Sequence, residues 1–187
     1  MIAAGIGKLI QSSISEGAKL EQSIGGVETI FGKKDAETVK KNAQNAYKTL
    51  QISANDYMEQ ATSFSASLLQ SLNGDTTKAA AAADVAITDM SDNANKMGTN
   101  IQDIQNAYQG FAKQNYTMLD NLKLGYGGTK SEMERLLQDA GKIPGQKYDI
   151  SNLSDVYSAI HVVQQEMHLT GTSAEEAQTT LSGSFNA

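Results

Sequence analysis

Apolar residues recur along this chain at intervals of three and four, in blocks of helical length that are closed by glycine. Ile2, Ile6, Leu9, Ile10 and Ile14 form one stripe, which continues through Ile24, Val27 and Ile30 to Gly32, with Gly25 and Gly26 as a weak point. A second block opens at Asp35 and carries Val39, Ala43, Ala46, Tyr47 and Leu50. Ser53 with Asp56 three residues later is a capping-box-like start for a third, whose face is Tyr57, Ala61, Phe64, Leu68 and Leu72 and whose stop is Asn73-Gly74. Asp75 or Thr76 caps a fourth, with Ala79, Ala83, Ala86, Ile87, Met90 and Met97 before Gly98. Thr99 followed by Gln102 predicts a fifth helix through Ile101, Ile104, Tyr108 and Phe111.

The same grammar continues. Thr129 and Glu132 open a helix through Met133, Leu136, Leu137 and Ala140, stopped by Gly141 and the Pro144-Gly145 turn. Another starts near residues 151 to 154 and uses Val156, Ile160 and Val163 up to Gly171, after which Thr172 or Ser173 begins a last one reaching Leu181. Residues 147 to 150 suit a brief extended stretch, but no alternating pattern competes over a comparable length and no fixed-period repeat is present. The expectation is an all-α, multi-helix globular bundle of about seven to eight helices. Residues 1–187 read as a single domain, with 1–31 the segment expected to protrude if any does.

Composition narrows the function classes. The chain has 187 residues and is 40% hydrophobic, drawn from aliphatic residues more than from aromatics, which suits helix-on-helix packing. A net charge of -6, from 21 acidic against 15 basic residues with Arg135 the lone arginine, argues against specific binding of a nucleic-acid backbone. The absence of cysteine removes disulfides, thiol chemistry and most zinc sites. The opening MIAAGIGKLIQSSI lacks a basic region and a long apolar run, and the alanine run at 79 to 83 is interrupted by Asp84, so no membrane span is predicted.

In YTMLDNLKLGYGGTKSEMERLL, residues 116 to 137, Gly125, Gly127 and Gly128 precede a well-signalled helix. They do not reproduce a dinucleotide fingerprint, and Gly128-Thr129-Lys130-Ser131 lacks the spacing of a Walker loop; the glycines read as tight-turn residues. His161 and His168, two turns apart, read as an interhelical contact or exposed residues rather than metal ligands. Asp84, Asp89 and Asp92 have helical spacing and read as a solvated acidic face rather than a calcium or catalytic cluster. Met58, Met90, Met97, Met118, Met133 and Met167 read as core packing rather than an adaptable binding groove. Leu119, Leu122, Leu124 and Tyr126 crowd apolar groups into a connecting segment, which leaves two roles open: a loop tucked into the core, or a partner-contact loop. No catalytic, cofactor-binding or metal-binding residue is assigned, and no cofactor is expected.

Three long phrases carry a family resemblance: ATSFSASLLQSLNGD at 61 to 75, AITDMSDNANKMGTNIQDIQNAYQGFAKQNYTMLDNLKLGYGGTKSEMERLL at 86 to 137, and YDISNLSDVYSAIHVVQQEMHLTGTSAEEA at 148 to 177. They resemble phage tail tape measure proteins from prophages of Gram-positive bacteria, over most of the chain from about residue 20 onward. The resemblance implies a non-enzymatic structural protein of the phage virion tail, made in the host cytoplasm. It implies partnership with tail tube and tail assembly proteins, and roles in tail assembly, length determination and genome delivery. Family members are usually much longer and some carry membrane segments or wall-degrading domains, so this chain reads as one folded region of such a protein. A ruler wants long uninterrupted helices, whereas this segment has frequent glycine stops, so it reads as a globular block attached to a ruler. Two other classes stand beside this one: a helical membrane-active or pore-forming delivery protein using the Ile-rich N-terminus, and a fragment of a muralytic tail enzyme, for which no paired Glu constellation stands out.

Overall fold

The computed structural model describes residues 3–175 and 178, with side chains from residue 17 onward. Over these residues the chain is an all-α bundle of α1 (Ala3–Leu50), α2 (Ala54–Ser71), α3 (Thr76–Met97), α4 (Ile101–Ala112), a 3-10 turn (Leu119–Leu122), α5 (Lys130–Lys142) and α6 (Leu153–Glu166). Residues 172–175 begin one more helix, and the expected end at Leu181 lies outside the described residues. No strand occurs among the described residues; 147–150 is irregular.

Glycine stops explain several of the boundaries. Gly32 adopts φ 71°, ψ 167° inside α1 and divides it where the sequence predicts one helix to end and the next to begin. Asn73 and Gly74 both have positive φ, and the Gly74 N–H closes back on the Leu69 carbonyl at 2.8 Å, satisfying an orphan carbonyl at the end of α2. Gly98 ends α3 in the left-handed conformation. Two expected stops are displaced. α5 runs past Gly141 to Lys142, and the left-handed residue is Gly145, whose successor Gln146 donates to the Gly141 carbonyl at 2.9 Å. α6 ends at Glu166 rather than near Gly171, because His168 takes the left-handed position with φ 58° and Leu169 N–H returns to the Gln164 carbonyl. Histidine is among the few side chains that tolerate that conformation, and nothing in its sequence context announces it.

Caps were equally readable, with one exception. Ser53, Asp75 and Thr129 accept from the backbone N–H groups of Asp56, Lys78 and Glu132. Asn152 caps α6 by accepting from Asp155. At α4 the cap is Asn100, which accepts from Gln102 N–H, and Thr99 turns inward to donate to Asn93 Oδ1 at 2.9 Å. Adjacent capping-competent residues compete for one position, and the buried acceptor on α3 decides the outcome.

α1, α2 and α3 pack on one another; α4 lies against α2 and α3, and α6 carries α5 and returns to α3, α2 and α4. The α1 seam is Val27, Phe31, Val39, Ala43, Ala46 and Leu50, all buried, while Tyr47, placed on that face by the sequence reading, is 73% exposed. Residues 17–22 are exposed, and packing begins at Ser23, whose hydroxyl donates to Asn55 Oδ1 at 2.6 Å. Val27 and Phe31 are buried, so the segment expected to protrude packs over its last third. The stripe from Ile2 to Ile14 lies outside the residues whose side chains are described. Aromatic residues are few but concentrated: Phe64, Tyr108 and Tyr157 bring α2, α4 and α6 together, with ring centroids 5.4 Å apart for Phe64–Tyr157 and 5.1 Å for Tyr108–Tyr157. Each such side chain contributes about 1.5–3 kcal/mol by burial, and the ring pairs add about 0.5–1.5 kcal/mol.

Candidate functional site

The segment 116–129 lies between α4 and α5. Its leucines are core residues: Leu119 and Leu122, on the 3-10 turn, and Leu124 are all buried. Tyr126 is half-buried, and its hydroxyl donates to Asp139 Oδ2 at 2.8 Å. The apolar part of this loop is thus spent on the chain's own core, and of the four residues Tyr126 alone retains appreciable exposure.

The glycines that follow fit backbone against backbone and against α5. Gly125 has φ 91°, which a residue with a Cβ rarely adopts. A Cβ on Gly128 would run into the Thr117 carbonyl oxygen, so only glycine closes the loop on itself there. Gly127 N–H donates to Glu132 Oε1 at 3.1 Å, completing from outside the cap begun by Thr129. Arg135 then clamps the loop: its guanidinium pairs with Glu132 at 2.6 Å, donates to the Gly125 carbonyl at 2.9 Å and lies 4.3 Å from the Tyr126 ring centroid. The Arg135 guanidinium and the Gly127 N–H hold the Glu132 carboxyl below its usual range. The Gly127 N–H and the Arg135 guanidinium, two donors a phosphate would use at this loop, are engaged by Glu132 and the Gly125 carbonyl.

A second cluster departs from the sequence expectation of a solvated acidic face. Asp89 and Asp92 are not on a solvated face; both are buried, with Ser91 and Asn93, in a single turn of α3. Asp84, half-buried one turn earlier, accepts from the Tyr57 hydroxyl at 2.5 Å. α3 is the central helix of the bundle, touching α1, α2, α4 and α6, so it has no face free to be solvated around residues 89–93. Burying polar groups is costly unless each finds a partner, and here the partners come from five directions. Ser91 donates to the Leu50 carbonyl at the end of α1. Asn93 donates to the Leu122 carbonyl at 2.9 Å and to Gln164 Oε1 at 3.0 Å, and accepts from Thr99. Gln164 in turn donates to the Asp89 carbonyl. Asp92 accepts from Gly171 N–H and Ser173 N–H, each at 2.9 Å, and so caps the helix starting at residue 172 from across the fold.

His161 on α6 completes the cluster, its Nδ1 2.9 and 3.0 Å from the two Asp89 oxygens. This is the interhelical contact that the sequence left open. Hydrogen bonding to Asp89 raises the imidazole's proton affinity, and burial raises that of Asp89. His168 lies past the end of α6 and is exposed, so the two histidines are not brought together. Of the methionines, Met58, Met90 and Met133 are buried in the core, Met97 packs at its edge, and Met118 and Met167 are 38% and 39% exposed, on different elements.

Among the described residues no three His, Cys, Asp or Glu side chains are grouped to hold a metal ion, and no helix is long and apolar enough to cross a membrane. No protein-family model, curated protein or solved structure matches the chain.

Proposed function

We propose that this chain is a folded helical region of a phage tail tape measure protein, a structural component acting with tail tube and assembly proteins in tail assembly, length determination and genome delivery. The observation that carries this reading is the resemblance of the phrases at 61 to 75, 86 to 137 and 148 to 177. The architecture is compatible with a block attached to a ruler: the part of α1 before Gly32 spans 3–31, about 40 Å at 1.5 Å per residue, and packs against the bundle from Ser23 onward. The buried polar side chains at 89–93 are engaged in internal contacts, as suits a structural role.

The test is to purify tails from an induced lysogen carrying the gene and to disrupt the gene in parallel. The reading expects peptides of this chain in intact tails and tail assembly lost or altered in length on disruption. Absence of the chain from tails that assemble normally without it would overturn the proposal. Liposome permeabilisation that depends on residues 1 to 14, or peptidoglycan turnover by the purified protein, would replace it with a membrane-active or a muralytic reading respectively.

A further inference from the structure

The turn at 89–93 supplies the acidic half of an ion pair with His161, placed where three elements meet. Asp89 is 1% exposed, and its ion-pair partner is His161, whose side chain is 27% exposed and borders a groove of about 420 Å³ between α3 and α6. One turn further along α3, Asp92 holds the N–H groups of Gly171 and Ser173. Gln164, one turn beyond His161 on α6, is tied to the Asp89 carbonyl and to Asn93. The imidazole, the amide of α6 and the start of the following helix are therefore all fastened to one turn of α3.

We propose that His161 and Asp89 form a proton-operated latch: the protonated imidazole holds α6 and the helix start at 171–173 against α3, and loss of that proton loosens both. The groups facing the pair make the change consequential. Asp92 on α3 is a second buried carboxylate, and the neighbouring groups on other elements are phenols: Tyr108 on α4, Tyr157 on α6, and Tyr148 in the segment before α6. The Tyr108 hydroxyl is buried without a protein partner, and burial followed by the Asp89 charge keeps it protonated. Among the described residues around the pair, then, the imidazolium is the group that offsets the buried negative charge. Neutral His161 still donates one hydrogen bond to Asp89, but it leaves two carboxylates within one turn of a buried helix without that offset.

The sign follows from linkage. Both His161 and Asp89 bind protons more firmly in the folded chain than in the unfolded one, so folding is favoured at lower pH through their titration. The His161 contribution is fully present below the ordinary histidine range and is lost as pH rises through the raised folded value.

The experiment is an NMR titration of the whole chain from mildly acidic to mildly alkaline pH, following both histidine rings. Hydrogen-exchange protection of the Gly171 and Ser173 amides is measured alongside and corrected for intrinsic exchange. The latch expects His161 to titrate above the ordinary histidine range, and protection at Gly171 and Ser173 to fall through the His161 midpoint. His161→Gln, which can donate to Asp89 but cannot titrate in this range, removes the pH dependence of protection. The proposal is overturned if protection stays constant while His161 titrates, if His161 titrates within or below the ordinary histidine range, or if the same loss persists in His161→Gln. Should that variant fail to fold, the wild-type titration alone decides.

Discussion

The clamp on α5 and the turn at 89–93 on α3 are built from the same ingredients, carboxylates within one or two turns of a helix and basic side chains that pair with them, yet they do opposite things. Glu132, Arg135 and Asp139 lie at the surface, where water can replace each contact, and their arrangement fixes the path of a loop whose stability comes from Leu119, Leu122 and Leu124 beneath it. Asp89, Asp92 and Asn93 are enclosed, so each contact removed leaves a polar group with no substitute. Placement relative to the core decides how much a charged residue matters.

The largest effect should come from the core under the clamp. Leu122→Ala deletes a fully buried side chain that reaches the interior beside the Asn93 contact, and should cost about 2–5 kcal/mol in chemical denaturation. A change below about 1 kcal/mol would mean that the loop is peripheral. Gly128→Ala comes next, because its Cβ meets the Thr117 carbonyl; a loss of about 1–3 kcal/mol is expected. A neutral result would show that the glycine is dispensable and reopen a ligand role for the loop.

A smaller effect distinguishes the two residues before α4. Asn100→Ala should cost about 1 kcal/mol as loss of an N-cap. Thr99→Ala should cost about 0.5–1.5 kcal/mol for a different reason, loss of the hydrogen bond to Asn93, so a double-mutant cycle with Asn93 should show coupling and one with Gln102 should not. The least effect belongs to Tyr126→Phe, which keeps the ring under Arg135 and loses one half-wet hydrogen bond; about 0.5 kcal/mol or less is expected by thermal melting.

The contrast between the two regions also marks how far the sequence could be read. Apolar stripes such as Met133, Leu136, Leu137 and Ala140 carry their own periodicity, and they are buried as expected. Stops that require glycine, at Gly32, Gly74 and Gly98, were legible for the same local reason. Asp89 and Asp92 were not, because a carboxylate at helical spacing gives the same local signal on a wet face and in a satisfied interior. A hint existed: Asn93 falls in register with Ala86, Met90 and Met97, so the apolar stripe of α3 passes through an amide. What no local pattern supplies is that α3 is surrounded, or that the N–H groups of Gly171 and Ser173 arrive beside Asp92 from 79 and 81 residues away. The αL conformation of His168, which ends α6 early, belongs to the same class of tertiary outcome.

Urea unfolding of Asp92→Ala beside Glu132→Ala tests the central claim most directly, since both remove one carboxylate that accepts a backbone N–H near a helix start. Asp92→Ala leaves the Gly171 and Ser173 N–H groups without their acceptor and should lose about 2 kcal/mol or more. Glu132→Ala should lose clearly less, because Gly127 and Arg135 turn to water. Equal midpoints for the two variants, or the greater loss in Glu132→Ala, would contradict the account.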